Sequence, residues 1–234
     1  MSQSLQNKKG LVKDVFDKVY DKYDLMNDFM SMGIHRLWKK DLINLMSPLP
    51  KKKLIDVACG TGDLGKIFLE NTNYEGSVLF VDPNTKMLKK GMKRLKNYKN
   101  TSWKKGSAEK IPAPNNSFDY YCISFGLRNT KNIGLSLKEA HRVLKPGGKF
   151  LCLEFSKVQN FHFDNLYKQY SKLIPHIGKI VVGDQEPYNY LVKSIENFIN
   201  QEKLIELMKK NKFINCKYRN LSGGVVAIHS GWKI

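Results

Sequence analysis

Acidic residues are scarce in this chain: 21 Asp and Glu stand against 40 Lys and Arg, leaving a formal net charge of +19. Arginine is scarcer still, with only Arg36, Arg94, Arg128, Arg142 and Arg219 among the lysines. Basic charge on this scale raises a nucleic-acid partner. The lysines, however, are spread along the chain and accompany abundant asparagine, the pattern of an AT-rich coding sequence with solvated faces, so no nucleic-acid partner is expected. Cysteine is limited to Cys59, Cys122, Cys152 and Cys216, without a Cys-x-x-Cys pair. That spacing gives no zinc site, no metal is expected, and reduced thiols in a cytoplasmic protein are the plain reading. No apolar run approaches the ~20 residues of a membrane-spanning helix; residues 77–81 and 177–182 are far too short. The first ten residues have no apolar stretch of the secretory kind, so a leader is not expected. Neither internal repeats nor low-complexity linkers are present. What remains is ordinary globular composition, 41% hydrophobic and 26% charged over 234 residues, which suits one α/β domain and is short for two.

The patterning supports that class. Leu11, Val12, Val15, Phe16, Val19, Tyr23 and Met26 recur at a helical period, and a second helix is expected from His35 to Met46, ended by Ser47-Pro48-Leu49-Pro50. Together they form an N-terminal helical cap over residues 11–48. Strands then alternate with helices: strands at 53–58, 77–82, 101–105 (weak), 119–124 and 149–154; helices at 63–70, from Pro83-Asn84 to Leu95, and at 135–144, the last stopped by Lys145-Pro146-Gly147-Gly148. Such alternation predicts a Rossmann-like, mostly parallel sheet with right-handed crossovers and helices on both faces. Residues 156–187 break the rhythm and read as an insertion covering the active site. Helices at 188–200 and 202–210 follow. Strands at 213–221 and 225–230, with Ser222-Gly223-Gly224 as the turn, end the sheet as a hairpin and bring it to seven strands.

The chemistry starts at Gly60-Thr61-Gly62-Asp63-Leu64-Gly65, a G-x-G-x-x-G between a strand and a helix, with Asp82 ending the next strand. Alone this is the dinucleotide fingerprint. A pyrophosphate would meet the helix N-terminus here, but Asp63 stands in the loop, Asp56 ends the strand beside it, and the loop has no Lys or Arg. Those charges suit a ligand with a sulfonium and an ammonium, so S-adenosylmethionine (SAM) is expected rather than NAD. Gly60, Thr61, Gly62 and Asp56 then line the cofactor, and Asp82 accepts its ribose hydroxyls. Ser107 and Ala108 follow the third strand where an adenine would lie, in what is otherwise an ordinary loop. Ser124 ends strand four beside the point where strand order reverses.

Longer blocks carry a resemblance: Lys22-Tyr-Asp-Leu-Met-Asn-Asp28 with Gly33-Ile-His-Arg-Leu-Trp-Lys39, Ile123-Ser-Phe-Gly-Leu-Arg-Asn129, Arg142-Val-Leu-Lys-Pro-Gly-Gly148, Leu153-Glu-Phe-Ser-Lys157, Tyr188-x-Tyr-Leu-x-x-Ser194-Ile195 and Gly223-Gly-Val-Val-Ala-Ile-His229. With the glycine loop, these make the chain similar over nearly its whole length to the ubiquinone/menaquinone biosynthesis C-methyltransferases. The resemblance implies a class I SAM-dependent methyltransferase fold, with SAM held at Thr61, Asp82, Ser107, Ala108 and Ser124. Ser107 stands where the family often has Asn, and Cys59 where it often has Gly, which puts the loop geometry at Cys59 in question. It implies methylation of a prenylated benzoquinol, with demethylmenaquinol as the alternative. The C-terminal segment 218–232 looks more like the ubiquinone branch.

For that chemistry a quinol carbon must be made nucleophilic by loss of a hydroxyl proton. Arg128, a permanent cation past strand four, is expected to lower the quinol pKa or orient a water, unless it pairs with a surface carboxylate. Asn129 would help hold that water or the ring oxygen. His35 is either a proton acceptor or a packing residue. Tyr23 is either a cation–π partner of the sulfonium, with Asp24 closing the cap, or a core tyrosine. Glu154 has only its position at the same rim. Phe161, Phe163, Leu166, Tyr167, Tyr170, Leu173 and Ile174 form either a groove for the apolar tail or a lid core. The expected setting is the cytoplasm with peripheral attachment to the membrane's inner face, as a homo-oligomer or with sister enzymes of quinone biosynthesis. A nucleic-acid methyltransferase, an NAD oxidoreductase and a non-catalytic scaffold are the rivals.

Overall fold

Apolar side chains along one face of residues 35–46 bury Trp38, Leu42, Ile43 and Met46 in helix α1 (His35–Met46), which stops at Ser47 in a left-handed conformation. The structure, a computed structural model, describes residue 31 and residues 33–158 and 185–234. The helix expected at 11–30, Tyr23 and Asp24, and the tail groove with Phe163 and Leu173 lie outside the described residues.

After α1 the chain builds β1 (Lys53–Val57), α2 (Asp63–Asn71), β2 (Ser77–Asp82), α3 (Thr85–Arg94), β3 (Thr101–Lys105) and β4 (Phe118–Ser124). A 3-10 turn at Leu127–Asn129 leads to α4 (Ile133–Val143) and β5 (Leu144–Phe155). The last part holds α5 (Glu186–Glu196), α6 (Gln201–Lys210), β6 (Ile214–Leu221) and β7 (Val226–Trp232). One seven-stranded sheet results, in the order β3-β2-β1-β4-β5-β7-β6. β7 runs antiparallel to both neighbours, and the other pairs are parallel. Strand order reverses between β1 and β4, which opens a crevice past their carboxyl ends.

Two apolar clusters explain why consecutive strand residues are all buried. Leu54, Val78, Phe80, Tyr120, Cys122 and Leu151 belong to one cluster, with α1, α2 and α5. Their neighbours Ile55, Leu79, Val81, Tyr121, Ile123 and Phe150 belong to the other, with α4 and α6. Alternation thus places a core on each face, as parallel strands covered on both sides require. Asparagine supplies helix starts: Asn84, Asn132 and Asn200 accept backbone N–H groups of α3, α4 and α6, each cap worth about 1 kcal/mol.

α4 stops at Val143, just before Lys145-Pro146-Gly147-Gly148 as expected, but the start of the fifth strand is corrected. These residues are part of β5, which starts at Leu144 rather than Lys149. Phe118 pairs with Leu144 and Tyr120 with Lys149, so the irregular stretch bulges out of register. It is held instead by the chain end: Gly147 N–H donates to the Lys233 carbonyl at 2.7 Å and Lys233 N–H to the Gly148 carbonyl at 3.0 Å. The closing hairpin forms at its expected turn, with Ser222–Gly224 as a second 3-10 turn.

Candidate active site

Beyond β1 the backbone turns sharply. Ala58 has φ +53°, Gly60 +55° and Gly62 +86°, conformations that glycine adopts without strain and alanine does not. Gly60 and Gly62 are needed for different reasons. A Cβ on Gly62 would lie 2.9 Å from Trp103, 3.0 Å from Phe80 and 3.1 Å from Leu95, whereas one on Gly60 would meet nothing within 4 Å among the described residues. Gly62 therefore lets the loop sit on the core, and Gly60 leaves open space on the crevice side. Trp103, stacked on Phe80 at 4.0 Å, makes β3 the floor of the loop. Nothing in the sequence pattern of that weak strand singled it out.

Asp82 closes the loop from the end of β2. One carboxylate oxygen accepts Gly60 N–H at 2.9 Å and the other Asn84 N–H at 2.8 Å. Burial pushes its pKa up to about 6, against the pull of those N–H donors. Its backbone carbonyl accepts Gly106 N–H at 3.2 Å, which places the Ser107-Ala108 turn beside the same edge. That turn is braced from below. Glu139 accepts Ile111 N–H, and Arg142, paired with Glu139, donates to the carbonyls of Ile111 and Ala113.

Two aspartates depart from expectation. Asp56 faces inward, accepting Gly65 N–H at 3.2 Å and the Cys122 thiol at 3.5 Å. Burial pushes it up to about 7, with those hydrogen bonds and Lys39 opposing. It anchors the start of α2 beneath the loop and is not turned to a ligand. Asp63 is not a bare charge. Lys39 reaches it from α1 at 2.6 Å and Arg94 from α3 at 2.5 Å. Burial acts to raise Asp63, but the two cations outweigh it and hold the carboxyl well below the usual range. Arg94 also donates to the Thr61 hydroxyl at 3.0 Å. The argument against phosphate from an acidic loop without cations is thereby corrected, because the cations arrive from distant helices. Their signal was available in a rare arginine, Arg94, in a lysine-rich chain.

At the end of β4, Phe125 again has positive φ, +53°, and a Cβ on Gly126 would lie 2.5 Å from that of Ala58. The two turns thus pack together at the point of strand reversal. Ser124 Oγ is buried there without a hydrogen-bond partner among the described residues. The Leu127–Asn129 turn then places Arg128 and Asn129. Arg128 is corrected from a free cation to a buried ion pair: its Nη1 donates to Glu154 at 2.8 Å, with the side chains 4% and 1% exposed. Its backbone N–H also donates to Glu154, Nε to Ser194 and Nη1 to the Phe125 carbonyl. Asn129 accepts the Tyr190 hydroxyl at 3.0 Å. His35 is buried on α1, its Nδ1 at 3.0 Å from Ser31 Oγ, in keeping with the packing alternative.

Whether this crevice suits SAM is decided by what it leaves unmet. An unpartnered hydroxyl at Ser124, open space at Gly60 and a carboxylate at Asp82 in reach of a diol together match the group's polar parts.

Compared with known families, the chain matches the ubiE/COQ5 methyltransferase family over residues 2–233. A ubiquinone/menaquinone biosynthesis C-methyltransferase of Rickettsia akari is 48% identical, with 97% of this chain and 94% of that protein covered. The mitochondrial 2-methoxy-6-polyprenyl-1,4-benzoquinol methylase of Dictyostelium discoideum is 44% identical, covering 98% and 83%. Among solved structures, a SAM-dependent methyltransferase of Thermotoga maritima superposes with TM-score 0.67 at 19% identity, covering 95% of this chain and 99% of that one. A phosphoethanolamine N-methyltransferase of Haemonchus contortus solved with SAM gives 0.63 at 16% identity, covering 84% and 52%. Likeness at these low identities concerns the class I methyltransferase fold.

Proposed function

This chain belongs to the ubiE/COQ5 methyltransferase family, and from that membership we propose that it methylates a ring carbon of a prenylated 1,4-benzoquinol in ubiquinone biosynthesis. It is a SAM-dependent C-methyltransferase. The observation that carries the substrate is the near full-length likeness to the Dictyostelium relative named for benzoquinol methylation. The bacterial relatives' names cover ubiquinone and menaquinone alike, which keeps demethylmenaquinol as a second reading.

Bound SAM supplies an electrophilic methyl group on a sulfonium. The chain's residues would hold it with Asp82 receiving the ribose hydroxyls, Gly60 and Thr61 bordering it, Ser107 and Ala108 beside the adenine, and Ser124 Oγ donating to its polar end. Gly62 shapes the loop from beneath, and Asp56 supports it there. For the quinol, the ring carbon gains electron density as the conjugated hydroxyl gives up its proton. An N–H of Arg128 directed at that oxygen, with Asn129 beside it, stabilises the oxyanion. With Glu154 already paired to the guanidinium, Arg128 acts by directed hydrogen bonding more than by net charge. The ring proton passes to solvent afterwards, which restores aromaticity, and the oxyanion regains its proton, so one proton is released per methyl group transferred. Orientation of two reactants of this kind contributes ~7–11 kcal/mol.

Prenylated quinols dissolve in membranes, and the proposal includes peripheral attachment from the cytoplasmic side. Among the described residues no helix is long and apolar enough to cross a membrane. Between Asp82 and Glu109 the chain has Lys86, Lys89, Lys90, Lys93, Arg94, Lys96, Lys99, Lys104 and Lys105 and no acidic residue. They lie on α3, on the edge strand β3 and in the connection between the two.

The test is purified enzyme with methyl-labelled SAM, offered a prenylated methoxybenzoquinol or a demethylmenaquinol under reducing conditions. Label in the benzoquinol ring carbon, incorporated far more slowly in Arg128→Ala while SAM binding persists, is the expected outcome. Label only in the naphthoquinol would replace the first substrate with the second, and label in neither would overturn the proposal.

A further inference from the structure

A buried ion pair is costly to assemble, because both ions lose water. Arg128 and Glu154 are buried beside the crevice, in a chain whose charged groups are otherwise mostly exposed. Glu154 is the last residue but one of β5, and its carboxylate receives three donors: Arg128 Nη1 at 2.8 Å, Arg128 N–H at 3.2 Å and Phe155 N–H at 2.9 Å. The guanidinium also lies 5.4 Å above the Phe155 ring.

Helix α5 grips the same turn from the other side. Tyr190 and Ser194, four residues apart, share one helix face. Tyr190 donates its hydroxyl to Asn129 Oδ1 at 3.0 Å, and Ser194 Oγ accepts from Arg128 Nε at 3.4 Å. With Nη1 and Nε engaged, no hydrogen bond among the described residues involves Nη2. The arrangement thus fixes the guanidinium in its plane and leaves one edge to present.

We infer that Glu154, Tyr190 and Ser194 are positioning residues that hold the Arg128–Asn129 turn in the one geometry that presents Arg128 Nη2 and the Asn129 amide to the quinol oxygen. Glu154 fixes the guanidinium from the sheet, and α5 fixes both side chains from outside. This rests on the benzoquinol reading above. None of the three touches the reacting atoms, so each acts only through Arg128 or Asn129.

The test uses the full chain with SAM and the prenylated benzoquinol, measuring kcat, the quinol KM, SAM affinity by calorimetry and thermal stability. Glu154→Gln keeps shape but removes the charge that orients Arg128. It is expected to lower kcat about 100-fold, the scale of a misplacement near 1 Å, with SAM affinity within twofold of the parent. Tyr190→Phe deletes one hydroxyl and is expected to lower kcat about 5–10-fold with SAM affinity retained, the scale of one lost neutral hydrogen bond. It decides the matter should Glu154→Gln fail to fold. In an Arg128→Ala background, Glu154→Gln is expected to cost little further activity, since residues acting through one group are not additive. Parent-like kcat in folded Glu154→Gln, an undiminished second loss in the Arg128→Ala background, or parent-like kcat in Tyr190→Phe would overturn the inference. An enzyme that does not methylate the benzoquinol at all fails earlier, at the parent chain, and takes the inference with it.

Discussion

Asp82 has two demands on one carboxylate: it holds Gly60 and Asn84 by their N–H groups, and it must receive ribose hydroxyls. Burial pushes its pKa up to about 6, so the group is in part protonated in mildly acidic solution. The sign follows from linkage. Raised above the ordinary value, the carboxyl binds its proton more tightly in the folded chain, so its contribution to folding is present below about pH 4 and declines as pH rises to about 6. Hydroxyl donors reverse the preference, since they favour the carboxylate. SAM affinity is therefore expected to fall about tenfold per pH unit below pH 6 and to level off above it. Calorimetry across pH 4.5–8 reads this directly, and proton release should accompany binding near pH 6. Asp82→Asn should bind more weakly and lose the slope. A slope that persists in Asp82→Asn would assign it elsewhere, Asp56 being the neighbour pushed up to about 7.

Among elements, α1 is tied to the cofactor loop through charge as well as packing. Lys39 on α1, Asp63 at the start of α2 and Arg94 at the end of α3 meet at 2.6 and 2.5 Å. Lys39→Met keeps the apolar stem and removes one cation, leaving Asp63 with Arg94. The pair is neither fully buried nor free in water, so the expected cost is roughly 1–2 kcal/mol, a fall in Tm of about 2–6 °C. Since Asp63 is held below its ordinary pKa, that stability is present above about pH 4 and is lost on acidification. Parent and variant should therefore still be separated near pH 4 and converge only as pH falls through the depressed folded value. The separation should also narrow at about 1 M salt, and one that does not would mean that Lys39 stabilises by packing alone. The latch also shows what a single sequence yields. The span of α1, the edges of β2 and β3, and the closing turn were legible because period, caps and turn residues are local signals. Asp63's partners were not, because Lys39 and Arg94 lie 24 and 31 positions away in opposite directions. Arg128 was foreseen to pair only with a surface carboxylate, and the buried Glu154, 26 positions on, gave no local signal. The start of β5 was placed late because Lys145-Pro146-Gly147-Gly148 reads as the stop of the preceding helix, and its hydrogen bonds with Lys233 come from a distant segment.

For the whole molecule, charge is the property with the longest reach. The net +19 does not by itself select a partner, since lysines scattered on every face attract any polyanion weakly and only within a Debye length, about 8 Å at physiological ionic strength. What distinguishes the α3–β3 segment is a run of basic residues that no acidic residue interrupts in the sequence. Exposed Lys86, Lys89, Lys93, Lys96, Lys104 and Lys105 lie there with exposed Met92, and no Asp or Glu intervenes from residue 83 to 108. Each such residue near an anionic lipid surface is worth about 1 kcal/mol. Co-sedimentation with vesicles containing about one-third anionic lipid should therefore retain the protein at low salt, release it near 0.5 M salt, and show no retention on neutral vesicles. Lys86→Glu, Lys89→Glu and Lys93→Glu combined should abolish retention and leave Tm nearly unchanged, because these side chains are solvent-exposed on α3. Equal loss from three exposed lysines reversed on α6, Lys203, Lys209 and Lys210, would show that overall charge rather than this edge binds the membrane. Retention on neutral vesicles at high salt would show that apolar contact does.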